Sequence, residues 1–402
     1  LEAMSADRIE RVEVITNPSA QYSPEGAAGI INLITKQSRK VGRSGSVRLN
    51  VGSGDRGNFG VSGAYNSNKL TLSGDASIRF DPQDGAARDE RAVLDGQGGQ
   101  LASSRSRTRQ VGAADFWNLR GSVDYDLSAK TRLSGEARFS RSDAQVKPRQ
   151  HFESFGPTGA PTLIFDSPQR FTDGRPTGAI QGTVRHKFGD EHDLVVNLSH
   201  ERTDDRREGA NTEVFGLPVQ PDLFTDLHTV TTLIQTQAKA DYTRPTLAEG
   251  KLKAGYDLRV DDNEYDNVGL RGVAEASAAP DPAQTNLFLY KQTINAAYLT
   301  YEQPFGDWTV LGGLRLEDVR LDLDQVTSRI AHNTGQRDAY PSLHLAYKAS
   351  DDTQLTVSYS KRVQRPNPSD LNPFVVQRDP FNQFAGNPNL KPQITNSFEA
   401  GW

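Results

Sequence analysis

Several residue groups in this chain have types and spacings suited to chemistry. Gly52, Gly54 and Gly57 in GSGDRG match the glycine spacing of a dinucleotide cradle. Such a cradle works only when a helix follows and aims its N-terminus at the pyrophosphate. Here NFGVSGAYN follows, a strand pattern, so a tight hairpin loop is expected instead. Acidic residues gather at Asp261, Asp262, Glu264 and Asp266, and again at Asp318, Asp322 and Asp324. Oxygen-rich loops hold Ca²⁺, but this spacing fits no defined loop, and the wet ends of strands account for the same residues. No metal or other cofactor is therefore expected. The seven His form no H-x-x-x-H or H-E-x-x-H pair, and His186 and His200 fall on strand patterns near interfaces. There is no Cys, which excludes disulfides, thiolate metal sites and Cys nucleophiles. No Ser-His-Asp arrangement follows from spacing, and the chain is expected not to be an enzyme.

Two arginine-bearing groups are better suited to binding. In the polar stretch 365–393 and just before it, Arg362, Arg365, Asp370, Asn372 and Arg378 mix with Phe374, Phe381 and Phe384. Aromatic rings with a few polar groups make a recognition surface for a ligand. The packing of a long loop accounts for its Pro, Asn and Leu equally well. Arg105, Arg107 and Arg109 share parity with Trp117, Leu119 and Val123. On an unbroken strand all would face outward, with the arginines above an apolar band, where the guanidinium fork suits lipopolysaccharide phosphates. A solvated loop explains them as well, and one bulge would reverse the parity.

The elements that must carry these residues are strands. In KLTLSGDASIRF, Leu70, Leu72, Gly74, Ala76, Ile78 and Phe80 fall on one face and Thr71, Ser73, Asp75, Ser77 and Arg79 on the other. KLKAGYDLRVD divides the same way, with Leu252, Ala254, Tyr256, Leu258 and Val260 opposite Lys251, Lys253, Asp257, Arg259 and Asp261. About fourteen strands are expected, joined alternately by short turns and by longer polar loops at roughly residues 81–107, 147–174, 207–226, 265–285 and 365–393. Tyr65, Tyr125, Phe188, Tyr242, Tyr301 and Tyr347 each precede a short turn. An aromatic girdle at a membrane interface requires that regularity, whereas a soluble sandwich does not.

Composition agrees. Only 35% of the 402 residues are hydrophobic, mean hydropathy is −0.63, and no run of about 18 apolar residues suggests a membrane helix. A barrel with a wet inner face tolerates that polarity, because only its outer face must be apolar. The net charge of −5 argues against nonspecific nucleic-acid binding.

The opening IERVEVITNPSAQYSPEGAAGIINLITK resembles the end of the plug domain of TonB-dependent outer-membrane receptors. YSKRVQRPNPSDLNPF followed by GNPNLKPQITNSFEAGW is similar to a late loop and strand of the same receptors, in the subgroup described as outer-membrane β-barrel family receptors. The motif residues are Asn17, Pro18, Tyr22, Glu25, Gly26, Gly29 and Asn32, with structural roles. Pro18 and Pro24 stop sheet propagation, and Ile30, Ile31, Leu33 and Ile34 read as a strand buried on both faces.

The resemblance implies an all-β fold: a transmembrane antiparallel β-barrel, about 14 of the family's roughly 22 strands, preceded by the C-terminal part of a plug. Residues 1–40 would be the plug remnant and 41–402 the barrel. The family's longer plug and its TonB-contacting box are missing, so the chain reads as an internal piece of a longer receptor. The alternation of Phe398, Ala400 and Trp402 leaves open a barrel that closes with fourteen strands. If it does not close, the strand near residues 44–53 should lack a neighbour.

The implied function is active import of a siderophore, vitamin, oligosaccharide or peptide across the bacterial outer membrane. The implied partners are membrane lipid, lipopolysaccharide and the TonB complex. A passive channel or surface-attachment barrel, and a soluble all-β carbohydrate-binding protein, are the alternatives.

Overall fold

The computed structural model describes residues 9–26, 30–35, 41–379 and 382–402. Strands β1 (Ile9–Ile15) and β2 (Ile30–Thr35) form an antiparallel hairpin of their own. A single large antiparallel sheet follows. It comprises β3 (Gly42–Val51), β4 (Gly57–Asn66), β5 (Leu70–Pro82), β6 (Gly85–Leu94), β7 (Gln100–Asp126), β8 (Thr131–Phe155), β9 (Pro161–Gly189), β10 (His192–Leu217), β11 (Leu223–Pro245), β12 (Lys251–Gly272), β13 (Ala279–Pro280), β14 (Asn286–Phe305), β15 (Trp308–Gln325), β16 (Ile330–Lys348) and β17 (Gln354–Gln364), and ends in β20 (Gln393–Gly401). Between β17 and β20 lie a one-turn helix, α1 (Pro368–Leu371), and a small hairpin of β18 (Val376–Asp379) with β19 (Asn382–Phe384). Fourteen strands lie in sequence order across the sheet, with β6 and β13 as additions to β7 and β12.

Residues paired across a ladder share a face, so the register carries inside and outside from strand to strand. Thr71 pairs Asp124, Asp124 pairs Ser134, Ser134 pairs Thr183, and Thr183 pairs Asn197. The same face continues through Lys239, Asp257, Ala296, Glu317 and Asp338. The opposite face carries Val47, Leu49, Phe59, Leu72, Trp117, Leu119, Ile180, Leu198, Leu299, Leu316, Val357 and Phe398, all exposed. Among the described residues no second sheet covers these side chains, which rules out the sandwich alternative. The six aromatics before short turns all stand on this outer face. They gather with neighbours along one rim: Phe188 lies 4.8 Å from His192 and 6.4 Å from Tyr242, and Trp308 lies 4.6 Å from Tyr347.

Three expectations need correction. The polar stretches 81–107, 147–174 and 207–226 are largely strand, and 265–285 is strand as far as Gly272. β8 and β9 meet across residues 156–160, and β10 and β11 across 218–222. Beyond the hydrocarbon both faces of a hairpin are wet, so hydropathy stops alternating while the backbone ladder continues. The run at β2 does not lie buried on both faces: Ile31 is exposed, as are Val12 and Val14 on the other strand, because among the described residues β2 pairs only with β1. The acidic run on β12 is not one cluster. Asp261 faces inward toward Arg259 and Gln235, while Asp262 faces outward beside Lys291. Asp318 is likewise an outer-face partner of Arg337.

The GSGDRG stretch is a tight loop between two strands, as expected, with Gly52 N donating to Arg56 O at 2.9 Å. Among the described residues, β3 pairs only with β4 and β20 only with β17, so the sheet is open.

Candidate functional site

Two prolines and several small residues keep residues 16–25 out of any ladder except one bridge, from Glu25 to Val363. The segment lies instead along the polar face of the sheet. Thr16 Oγ1 donates to Glu399 Oε2 on β20 at 2.7 Å. Asn17 Nδ2 donates to Ser358 Oγ at 2.7 Å, and Ser360 donates to Asn17 Oδ1. Ala20 N donates to Ser342 Oγ on β16 at 3.0 Å. Its methyl group rests on Gly313 of β15, where an added Cβ would come within 2.9 Å of it. Lys253 Nζ reaches Gln21 Oε1 at 3.2 Å and Lys239 Nζ reaches Gln21 O at 3.4 Å. Val363 N donates to Pro24 O at 3.1 Å. One short segment thus contacts strands from β11 to β20, all on the inner face, and the sheet wraps it.

Glu25 ends this segment in an ionic chain. Its carboxylate accepts from Arg259 Nη1 at 2.9 Å and from Arg365 Nη1 at 2.5 Å. Arg365 Nη2 donates to Glu317 Oε2 at 2.6 Å, and Arg315 Nε to Glu317 Oε1 at 2.7 Å. Arg315 Nη2 continues to Asp257 Oδ2 at 3.1 Å, which also accepts from Gln237. Arg259 closes on Asp261 at 2.9 Å. Arg315, Glu317 and Asp257 are buried, whereas Glu25 and Arg259 retain partial access to water. Alternating charges at hydrogen-bond distance let these ions sit on the wall without being orphaned.

The stretch after β17 folds back above this chain. Leu371 of α1 is buried against Phe288, Tyr290 and Leu323. Asp370 caps its own turn by accepting from Asn367 N at 3.2 Å. Asn372 Oδ1 accepts from Gln325 Nε2 at 3.0 Å and from Phe374 N at 3.1 Å. The chain returns through Gly386 N to Asn372 O at 2.7 Å, so close that a Cβ on Gly386 would lie 2.6 Å from the Asp370 carbonyl carbon.

The structure therefore splits the sequence-derived ligand group. Arg362 and Arg365 sit on the wall against the N-terminal segment. Asp370 and Asn372 hold the loop together, and Phe374 and Phe384 are partly buried within it. Phe381 lies outside the described residues, as does the side chain of Arg378. Of the opening motif, Asn17, Pro18, Tyr22, Glu25 and Gly26 are described, with Asn17 and Pro18 buried. Gly29 and the side chain of Asn32 lie outside the described residues. Asp257, Arg259, Arg315 and Glu317 did not stand out as a unit in the sequence. Their one signal is parity, since each lies on the polar face of its strand.

Arg105, Arg107 and Arg109 lie on β7, which pairs β8 from Ser103 to Asp126 without a register shift, so they do share the outer face of Trp117. Arg105 is engaged by Glu90 at 3.0 Å and Glu153 at 3.7 Å. Hydrogen bonds from Arg88 and then Arg105 hold the Glu90 carboxyl below its ordinary value.

A family model for the outer membrane protein beta-barrel family matches residues 186–402, more than half the chain. The chain belongs to that family. Its barrel is an outer-membrane barrel, and its outer face is a lipid face. Among solved structures, the unliganded ferric citrate transporter FecA aligns over 90% of this chain and 50% of its own, at 12% identity and a TM-score of 0.53. The chain thus spans about half the length of that transporter and shares its fold. The translocator domain of autotransporter NalP from Neisseria meningitidis matches 74% of this chain and 83% of its own, at 13% identity and a TM-score of 0.26. The ferric yersiniabactin uptake receptor FyuA from Yersinia pestis matches 93% and 74%, at 12% identity and 0.24. No curated protein matches the chain.

Proposed function

We propose that this barrel is part of a TonB-dependent receptor that imports a scarce ligand across the outer membrane. A siderophore, vitamin, oligosaccharide or peptide is the ligand class. The observation that carries this reading is Glu25, held between Arg259 and Arg365 on the inner wall. Polar contacts dominate the docking of residues 16–25, and several remain accessible to water. Such bonds hold a segment in place yet exchange for water when it is pulled, unlike a dry apolar interface. On this reading residues 1–40 are the end of a plug and residues 41–402 the barrel around it. The TonB complex supplies the pull, and the protein performs no chemical step.

The open edges β3 and β20 fit the same reading. Unpaired backbone groups cost several kcal/mol each in hydrocarbon. Further strands of a longer receptor, outside these 402 residues, would close the ring. Arg107 and Arg109, exposed on the outer face above the lipid band, are the contacts for lipopolysaccharide phosphate, with Arg105 beside them. Changing all three to Gln should weaken lipopolysaccharide retention on purification, and unchanged retention removes that assignment.

Uptake of labelled candidate ligands by intact cells, with and without a protonophore, tests the main reading. Import should stop when the proton gradient collapses, and also when residues 9–35 are deleted. Ligand flux through purified protein in planar bilayers with no energy source would establish a passive channel instead.

A further inference from the structure

A second feature of the wall does not depend on transport. Between residues 18–24 and strands β15, β16 and β17 lies a small cavity of about 10 Å³, lined in part by Arg315, Tyr340, Ser342, Ser360 and Arg362. That is room for roughly one water-sized or chloride-sized particle, and too little for a carboxylate.

Its chemistry is one-sided. Arg362 is 3% exposed, and its Nη1 donates to Thr16 O at 3.0 Å. Its Nε and Nη2 are buried and bond to nothing among the described residues. Arg315 is 2% exposed; Nε and Nη2 hold Glu317 and Asp257, while Nη1 is buried and unbonded. Tyr340 Oη, a further donor on the same wall, is buried. Three guanidinium N–H groups without partners thus belong to two arginines that line this small space.

Charge separates the two candidate occupants. Arg315 is neutralised by its two carboxylates, but Arg362 forms no ion pair among the described residues. Glu399, the inward acid on β20, accepts from Thr16 and acts on Arg362 through space, beyond ion-pair distance. A buried guanidinium with unmet donors and no counter-charge in contact is disfavoured. Water would accept two of these bonds but leave the charge, and its own protons would point among donors. A monatomic anion accepts from all of them and sets a counter-charge in contact with Arg362.

We propose that Arg362 and Arg315, with Tyr340, bind a chloride-sized anion between residues 18–24 and the barrel wall. The ion is shared by the segment and the wall, so it binds only while the segment is docked. Docking is then linked to halide concentration.

Crystals of the detergent-solubilised protein grown in sodium bromide, measured at the bromine absorption edge, test the site. An anomalous peak at hydrogen-bond distance from Arg362 Nε and Nη2 and Arg315 Nη1 is expected, and it should vanish in Arg362→Met. No peak in saturating bromide, or a peak unaffected by Arg362→Met, overturns the proposal. Because that variant risks losing the docked state altogether, the unaltered protein provides a second measurement. Hydrogen exchange of residues 16–25 is followed while chloride is replaced by gluconate, which is too large for the cavity, at constant ionic strength. One ion bound to the docked state predicts about tenfold faster exchange for each tenfold dilution of chloride above its dissociation constant. Exchange independent of chloride overturns the proposal even if bromide is seen, since the ion would then be adventitious.

Discussion

Replacing Glu25 by Gln keeps the shape of the side chain and removes its charge. Two charge-assisted hydrogen bonds are affected, at 2.9 Å to Arg259 and 2.5 Å to Arg365. A hydrogen bond to a charged group contributes about 1.5–3 kcal/mol, so simple addition gives about 3–6 kcal/mol. That sum is too large for two reasons. Arg259 keeps Asp261 and Arg365 keeps Glu317, so neither guanidinium is orphaned. Glu25 also retains 26% of its side-chain exposure, and solvent screens what it loses. The expected loss is about 2 kcal/mol of docking free energy, or about thirtyfold in the ratio of docked to undocked segment. Hydrogen exchange of residues 16–25 in nanodiscs reads that ratio directly, and Glu25→Gln should exchange about thirtyfold faster. Thr16→Val, which removes only the hydroxyl that donates to Glu399, is the control and should change exchange far less. If Glu25→Gln shifts exchange by less than about threefold, the ionic chain does not hold the segment and the argument for a releasable closure fails.

Leu198→Arg places a charge on the outer face near the middle of the spanning part of β10. It should destabilise the barrel by about 2–4 kcal/mol in bilayer refolding, whereas Ser199→Arg on the lumen side should cost far less. Gly313→Val would press on Ala20, Ser342 and Thr300, each 2.9 Å from an added Cβ. It should undock residues 16–25 at a cost of about 1–3 kcal/mol, seen as faster proteolysis after Tyr22 with the sheet intact. Glu90 sits outside the membrane, and its lowered pKa means that its pairs with Arg88 and Arg105 contribute above the ordinary carboxylate value and are lost as pH falls through the lowered one. Arg88→Gln should move the Glu90 titration, followed by NMR, upward toward 4.5, and Arg105→Gln should move it less.

The parts of the chain that meet lipid were legible in the sequence because lipid imposes a rule on every second residue. Leu70 to Phe80 and Leu252 to Val260 follow it without exception, and the rim aromatics follow it too. Where β8 and β9 leave the membrane the rule lapses, and those strand ends read as loops. The ionic chain was hidden for a different reason. Glu25 meets Arg259 across 234 positions and Arg365 across 340. Asp257, Arg259 and Asp261 look in sequence like any wet face. Only the register, which sets β12 beside β14 and β14 beside β15, shows that these residues converge. Arg362 and Arg365 attracted notice as loop cations, but Arg362 lies on the inner face of β17 and Arg365 just follows that strand, both against the N-terminal segment.

The length of β7 to β11 has one further consequence. These strands run to 23–29 residues, where a tilted span of the bilayer needs about 9–11. At about 3.3 Å per residue and a tilt near 45°, the longest would stand roughly 30–40 Å clear of the hydrocarbon. One flank of the mouth is therefore a stiff hydrogen-bonded parapet rather than a fringe of mobile loops. A molecule arriving along that flank is screened from bulk exchange well above the depth of Glu25.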